Sequence, residues 1–237
     1  MTHIKSLAAP YFYPKSRGVF TVKPRPGPHP SDKSLPILHI VRDFLDVAED
    51  ARTARILIKQ GNFLVDGRVV KDTRFPVGLM DILTVKMLDE HYRILIYPGK
   101  GLRPVEIPAG ESSLKVCQVK VKKMTKGGRL QIGLHDGRSI LLDVDDEIAH
   151  STKRLDSLKI SVPDQRILDV ARLDKGSYVL VHSGSKAGYH GLLTGVQIDV
   201  TYPAKPTVSL ETSAGAFKTT LSNVMPIGVE KPWITLP

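Results

Sequence analysis

Basic side chains recur in this chain at spacings that gather them onto single faces. Arg52, Arg55 and Lys59 stand three and four residues apart, so on a helix they share one outer stripe. Arg68, Lys71 and Arg74 follow, in what reads as a hairpin and the loop after it. Lys120 and Lys122 alternate with Val121, which on a strand makes one face basic, and Lys123, Lys126, Arg129 and Arg138 extend that block. Lys5, Lys15, Arg17, Lys23, Arg25 and His29 lie on a proline-rich N-terminal stretch, and Lys186 lies in a glycine-rich loop. The chemistry these residues support is neutralisation of phosphate: each phosphate paired with a cation releases condensed counterions, and affinity follows without base contacts. A-form RNA has a deep major groove that side chains read poorly, so recognition of shape and backbone is the expected mode.

Bond-making chemistry has no comparable support. His135-Asp136 sits beside a turn glycine with no nucleophile signalled nearby. Gly184-Ser185-Lys186-Ala187-Gly188 lacks the Gly-Lys-Ser/Thr order of a phosphate loop. The histidines at 3, 29, 39, 91, 135, 150, 182 and 190 show no metal-ligand spacing. Asp143, Asp145, Asp146 and Glu147 read as a solvated acidic loop. Cys117 is alone, which excludes an internal disulfide and a cysteine-based zinc site and fits a reducing cytosol. The expectation is a protein with no catalytic residues, no metal and no cofactor. Tyr11-Phe12-Tyr13, beside Lys15 and Arg17, has two readings: stacking on splayed bases, or pinning the N-terminal arm to the protein's own core.

Charge distribution sharpens the phosphate reading. The 237 residues carry 34 Lys+Arg and 24 Asp+Glu, a net charge of +10. That excess is segregated: +5 over residues 1–33, −1 over 34–90, +7 over 91–140, −2 over 141–173 and +1 over 174–237. An unspecialised solvated surface would mix the signs, so a polyanionic partner is implied, with nucleic acid the default. With 41 % hydrophobic residues the chain can bury real cores. No apolar run reaches the roughly 20 residues of a membrane helix, and the N-terminus lacks the apolar stretch of a secretory signal.

The elements that must position these cations read as α+β, mostly β. Residues 1–33 hold six prolines and should form an extended basic arm, since proline removes donors and opposes helix. Residues 34–90 read as two short helices followed by a hairpin. Ser34 is placed to cap the first helix and Asp50 the second, Ala51 to Gln60, with Gly61 as its left-handed stop. Ile37, Ile40, Val41, Phe44 and Leu45 form the apolar face of the first, and Ala54, Leu57 and Ile58 face inward on the second. Asp66-Gly67 between β-rich runs signals the hairpin turn. Residues 91–173 show short strands separated by turns at Pro98-Gly99, Ala109-Gly110, Gly127-Gly128 and Asp136-Gly137, predicting a small antiparallel barrel. Residues 174–237 add a further β unit with a C-terminal extension.

Gly61-Asn62-Phe63-Leu64-Val65-Asp66-Gly67-Arg68 after two short helices resembles the S-four RNA-binding module. The glycines at 184, 188 and 191 between strands resemble a KOW motif, implying an SH3-like barrel there. With His3–Pro10, Pro26-Gly27-Pro28-His29, Phe75–Asp81, His135-Asp136-Gly137-Arg138 and Lys231–Pro237, nearly the whole chain resembles the small-subunit ribosomal protein S-four-e family of archaea and eukaryotes. The lack of a long basic C-terminal tail points to an archaeal member. The resemblance implies a structural role on small-subunit ribosomal RNA beside neighbouring ribosomal proteins in the cytoplasm. It implies no membrane, no small-molecule substrate, and Arg52, Arg55, Lys59, Arg68 and Lys71 as the module's RNA-facing set. Two departures stand out: Tyr11-Phe12-Tyr13 replaces a tryptophan common in the family, and Ser183 and Tyr189 replace a frequent glycine and arginine of the KOW-like loop. Two rivals compete: an RNA-modifying enzyme carrying such a module, for which residues 91–173 are too short and basic, and a transcription or translation factor using the KOW-like unit to bind protein.

Overall fold

A computed structural model of the chain describes residues 3–15, 18–143, 146–198 and 203–237. Arg17 and Asp145, singled out above, lie outside the described residues. The arm is not a free tail. Strand β1 (His3–Lys5) pairs antiparallel with β2 (Phe20–Val22). Between them Phe12 and Tyr13 are buried in the neighbouring core, and the Tyr13 hydroxyl donates to the Ser34 carbonyl at 2.9 Å. Of the two readings of Tyr11-Phe12-Tyr13, pinning holds for Phe12 and Tyr13, while Tyr11 stays 64 % exposed.

Residues 34–36 are not a helix start. They form strand β3 (Ser34–Pro36), and the Ser34 hydroxyl donates to Pro30 rather than capping. Helix α1 (Ile37–His39) continues into a π-helical turn over Ile40–Phe44. Helix α2 (Ala51–Lys59) begins after Asp50, whose side chain makes no cap bond, and stops at Gly61 with φ +85°. Strands β4 (Phe63–Val65) and β5 (Arg68–Val69) form the expected hairpin. Asp66 and Gly67 have φ of +49° and +75°, the positive pair that a two-residue turn between twisted strands demands. Strand β6 (Pro76–Gly78) pairs with β3, and β7 (Ile82–Val85) with β4.

The chain then continues the same sheet where a new domain was expected. Strand β8 (Glu90–Tyr97) pairs with β7, and β9 (Gly101–Ile107) with β8, giving the order β5-β4-β7-β8-β9. The expected boundary at 90/91 therefore cuts through one sheet. The tight turn between β7 and β8, with Asp89 at φ +54°, lets the meander run on without a linker.

The second sheet comprises β10 (Leu114–Met124), β11 (Leu130–Leu134), β12 (Ser139–Leu142), β13 (Ser157–Ser161) and β14 (Ile167–Ala171). Helix α3 (Glu147–Ser151) interrupts it before β13. Its order is β12-β11-β10-β13-β14, an open ladder with β12 and β14 as edges rather than a hydrogen-bonded closed barrel. The third sheet holds β15 (Ser177–Val181), β16 (His190–Gln197), β17 (Thr207–Thr212), β18 (Gly215–Thr220) and β19 (Val224–Val229), in the order β18-β17-β16-β15-β19. The apolar pattern does not announce β19, which pairs with β15.

Each sheet has its own core, and one further core is shared. Leu95 of the first sheet, Val116 of the second, Leu180 and Met225 of the third and Ile234 of the C-terminal stretch meet there, packed against Trp233 and Leu236. Each such buried side chain contributes roughly 1.5–3 kcal/mol, so the junction is a cohesive contact and not a string of loosely tethered units. The stretch is held further by Thr235, whose amide and hydroxyl donate to the Glu111 carboxylate at 3.0 and 2.7 Å. Glu111 in turn pairs with the fully buried Arg93 at 2.7 Å.

Candidate nucleic-acid interface

Helix α2 presents the clearest basic face. Ala54 and Ile58, four apart, are fully buried, which rotates Arg52, Arg55 and Lys59 outward, all exposed. Among the described residues no carboxylate lies within ion-pair distance of these three. The hairpin continues this surface: Arg68 and Lys71 are exposed, and Lys71 Cε lies 3.7 Å from the position a Gly61 Cβ would take, over the end of α2. Arg74 is half-buried. Arg25 crosses from the arm to donate to Asp72 at 2.9 Å, with its amide bonded to the Arg74 carbonyl. Lys5, Lys15 and Lys23 are exposed along the arm. A groove of about 620 Å³ runs between Gly27-Pro28, the hairpin residues Arg68 and Lys71, and Gly137-Arg138.

The central block is less uniform than its sequence. The β10–β11 register shifts between Val119 and Val121, a bulge that breaks the alternation of Lys120-Val121-Lys122. Lys120 turns into a cleft between the sheets, where its Nζ donates to Gln118 Oε1 at 2.8 Å. Lys122 Nζ donates to the Thr152 carbonyl at 2.9 Å, at the end of α3, where a cation is favoured by the helix dipole. The expected single basic strand face is thus not formed. Lys123, Lys126 and Arg129 are exposed, with Arg129 paired to Asp143 at 3.1 Å. Lys186 is exposed, its Nζ 5.7 Å from the Phe217 ring centroid.

Two of the expected contact residues turn inward. His29 is only 5 % exposed and bonds Asp81 Oδ1 at 3.0 Å; the strap carrying it packs so tightly that a Cβ on Gly78 would strike its ring. Arg138, half-buried, pairs with Asp66 and with Asp136. Both belong to a buried ionic cluster that the sequence did not disclose. Lys115, fully buried on β10, places Nζ 2.6 Å from Asp81, 2.7 Å from Asp66 and 3.0 Å from Asp136. Asp66 also accepts from the Ile82 amide, and Asp81 from the Gly78 amide. Lys115 lies 49 and 34 residues from Asp66 and Asp81, so no local spacing signals the cluster. The weak hint was a lysine inside an otherwise apolar strand.

Electrostatics within the cluster are uneven. Burial opposes the Lys115 charge, but Asp81 and Asp66 outweigh it and hold the ammonium well above its ordinary range. Burial would raise Asp81 and Asp136, yet Lys115 overrides it and both carboxyls sit below their usual range. Asp66 goes the other way: burial and the adjacent Asp81 charge raise it, and Lys115 with Arg138 only partly compensate. Three carboxylates share two fixed cations, and Asp66 is the least well served. Beside them, burial pushes His135 down to about 4. Its neutral ring accepts from the Gln118 amide at Nδ1 and donates from Nε2 to the Leu79 carbonyl, both at 3.1 Å. With a neutral, doubly bonded histidine and ion-paired carboxylates, His135-Asp136 has the fixed geometry of a structural turn.

A two-helix-and-hairpin module with an outward basic face, joined to two antiparallel sheets through a buried junction, defines a protein of the S4-domain class. Residues 47–83 match the S4 domain, residues 2–32 the RS4NT (NUC023) domain and residues 88–167 the ribosomal family S4e. Two curated relatives named small ribosomal subunit protein eS4 are each 42 % identical over 99 % of this chain and 94 % of their own length, one from Ignicoccus hospitalis and one from Aeropyrum pernix. The crystal structure of the 30S ribosomal protein S4e from Thermoplasma acidophilum superposes with a TM-score of 0.69 at 29 % identity, covering 84 % of this chain and 96 % of that one. The chain belongs to the S4e family of ribosomal proteins. That family is one of structural ribosomal proteins and not of enzymes.

Proposed function

We propose that the chain is a structural component of the small ribosomal subunit, ribosome-associated in the cytoplasm, and that it binds ribosomal RNA through separated basic surfaces. The observation that carries this reading is the α2 stripe. Arg52, Arg55 and Lys59 are exposed and without carboxylate partners among the described residues, directly beside Arg68 and Lys71. Cations left unpaired on a rigid helix are poised for phosphate, because pairing releases counterions at little cost in chain ordering.

The finer division follows the sheets: an arm over 1–33, the S4-type module extended to 107 by β8 and β9, the second sheet to 173 and the third from 174. The third is read as KOW-like. Gly188, with φ +95°, supports this: a Cβ there would lie 2.5 Å from the Pro98 nitrogen, so the loop after β15 must pass glycine-bare against the module. The RNA-facing set is Lys5, Lys15, Lys23, Arg25, Arg52, Arg55, Lys59, Arg68, Lys71, Arg74, Lys123, Lys126, Arg129 and Lys186. His29, Arg138 and Lys122 do not belong to it, because each is turned to an internal partner, and Lys120 leaves this outer surface for the cleft between the sheets. Co-sedimentation tests the reading. Near-stoichiometric recovery with small subunits at moderate salt and release at high salt is the expected result; recovery only in the soluble fraction at low salt overturns it.

A further inference from the structure

A cleft that none of the surfaces above uses opens where the arm, the module's sheet, β10 and the loop after β15 come together. It encloses about 340 Å³. Its floor is apolar, built by Phe12, Leu79, Leu102 and Met225. Tyr11 stands at the mouth, 64 % exposed and edge-on to Phe12, with ring centroids 5.5 Å apart at 84°. A slot with an apolar floor and a free aromatic ring at its edge suits a flat, stackable group.

The polar groups of the wall specify the rest. Lys33 and Lys120 line it, with Asp32 beside Lys33 on the arm. Burial, then Lys33 and Arg154, push the Lys120 ammonium below its ordinary range. Burial, then Lys120 and Lys33, push His182 down to about 4, so its ring is neutral. These cations repel one another, and an entering anion would relieve them. Gln118 is already satisfied, donating to the Leu155 and Val224 carbonyls and accepting from Lys120, and Ser183 donates to Asn223. His182 Nε2, enclosed in the wall, has no hydrogen-bond partner. A buried ring nitrogen without a partner is costly, and a ligand edge that bonds it recovers that cost.

We propose that this cleft receives one unpaired nucleotide of the bound RNA, its base on the apolar floor beside Tyr11 and against His182, its phosphate near Lys33 and Lys120. A flat aromatic group tethered to an anion is what an apolar slot rimmed by mutually repelling cations fits. The proposal rests on the RNA-binding reading above, and the experiment separates the two. The full chain is assembled on small-subunit ribosomal RNA and unpaired bases are probed with dimethyl sulfate. The wild-type chain is expected to protect one unpaired adenine or cytosine. In complexes of Tyr11→Ala or His182→Phe that base regains about fivefold reactivity, the worth of one hydrogen bond or weak stack. His182→Phe keeps a planar aromatic ring but removes the ring nitrogens, and an unchanged thermal midpoint certifies its fold. Absence of any footprint with the wild-type chain defeats the RNA reading itself. A full footprint in which no single base distinguishes wild type from both variants defeats only the cleft. So does crosslinking from a Tyr11-proximal probe to a neighbouring protein rather than RNA.

Discussion

Lys115 and Arg55 each carry one positive charge, and the molecule uses them oppositely. Lys115 is fully buried, with three carboxylates within 3.0 Å. Arg55 stands in solvent on α2 with no carboxylate in reach among the described residues. The difference shows why a count of charges along the chain overstates the surface available to RNA. Of the ten Lys+Arg in residues 91–140, Lys115 and Arg138 are paired with buried acids, and the buried Arg93 with the half-buried Glu111. The inner set fixes the arm, the module and the second sheet against one another. The α2 stripe of Arg52, Arg55 and Lys59 has no carboxylate partner among the described residues, and that is what makes it suited to an external polyanion.

The comparison can be broken most directly at Lys115. Lys115→Ala strands Asp66, Asp81 and Asp136 in the interior, and removing one partner of a buried charge network costs about 3–5 kcal/mol. Chemical denaturation should show that loss; a change under about 1 kcal/mol, of the size expected for a surface pair, would mean the cluster is solvated and the contrast false. Arg52→Glu with Arg55→Glu should do the reverse. Exposed substitutions leave stability within about 0.5 kcal/mol. RNA affinity should fall roughly tenfold or more, and the slope of log K against log salt should flatten by about two, one for each phosphate no longer neutralised. Unaltered affinity and slope would reduce the stripe to a solvated helix face.

Acid sharpens the comparison within the cluster itself, with a smaller effect. Asp81 and Asp136 have folded values below the ordinary 3.8, so the stability they contribute is complete above that value and disappears as pH falls through their lower folded range. Asp66 has the opposite sign: its raised value makes ionisation unfavourable to the fold, a penalty that protonation relieves. Asp66→Asn should therefore cost less at neutral pH than Asp81→Asn. Denaturation of both variants at pH 7 and pH 4 reads the order directly, and equal costs would show that the three carboxylates share the cations evenly.

Local signals in the sequence were reliable where one element dictates its own geometry. Asp66-Gly67 specified the hairpin turn, Gly61 the stop of α2, and Ala54 with Ile58 the buried side of that helix, so the outward stripe could be read directly. Signals failed where a distant partner decides. Ser34 looks like a cap, but β6 recruits it into a strand. The Lys120-Val121-Lys122 alternation assumes regular pairing, and the bulge opposite β11 is set by the partner strand. His29 looks like one more arm cation until Asp81, 52 residues on, receives it. Strand β19 stayed hidden because its apolar run is interrupted by Pro226, which the β15–β19 register accommodates at an irregularity.

Trp233, Ile234 and Leu236 complete the core shared by the three sheets. On a growing polypeptide the ionic cluster can seat the arm, the module and the second sheet against one another once their strands have emerged, but the seating of the third sheet waits for residues near position 234. A nascent chain shorter than that leaves the core shared by Leu95, Val116, Leu180 and Met225 uncapped. Quality control acting on such an intermediate would meet a sticky, half-docked lobe rather than an unfolded coil.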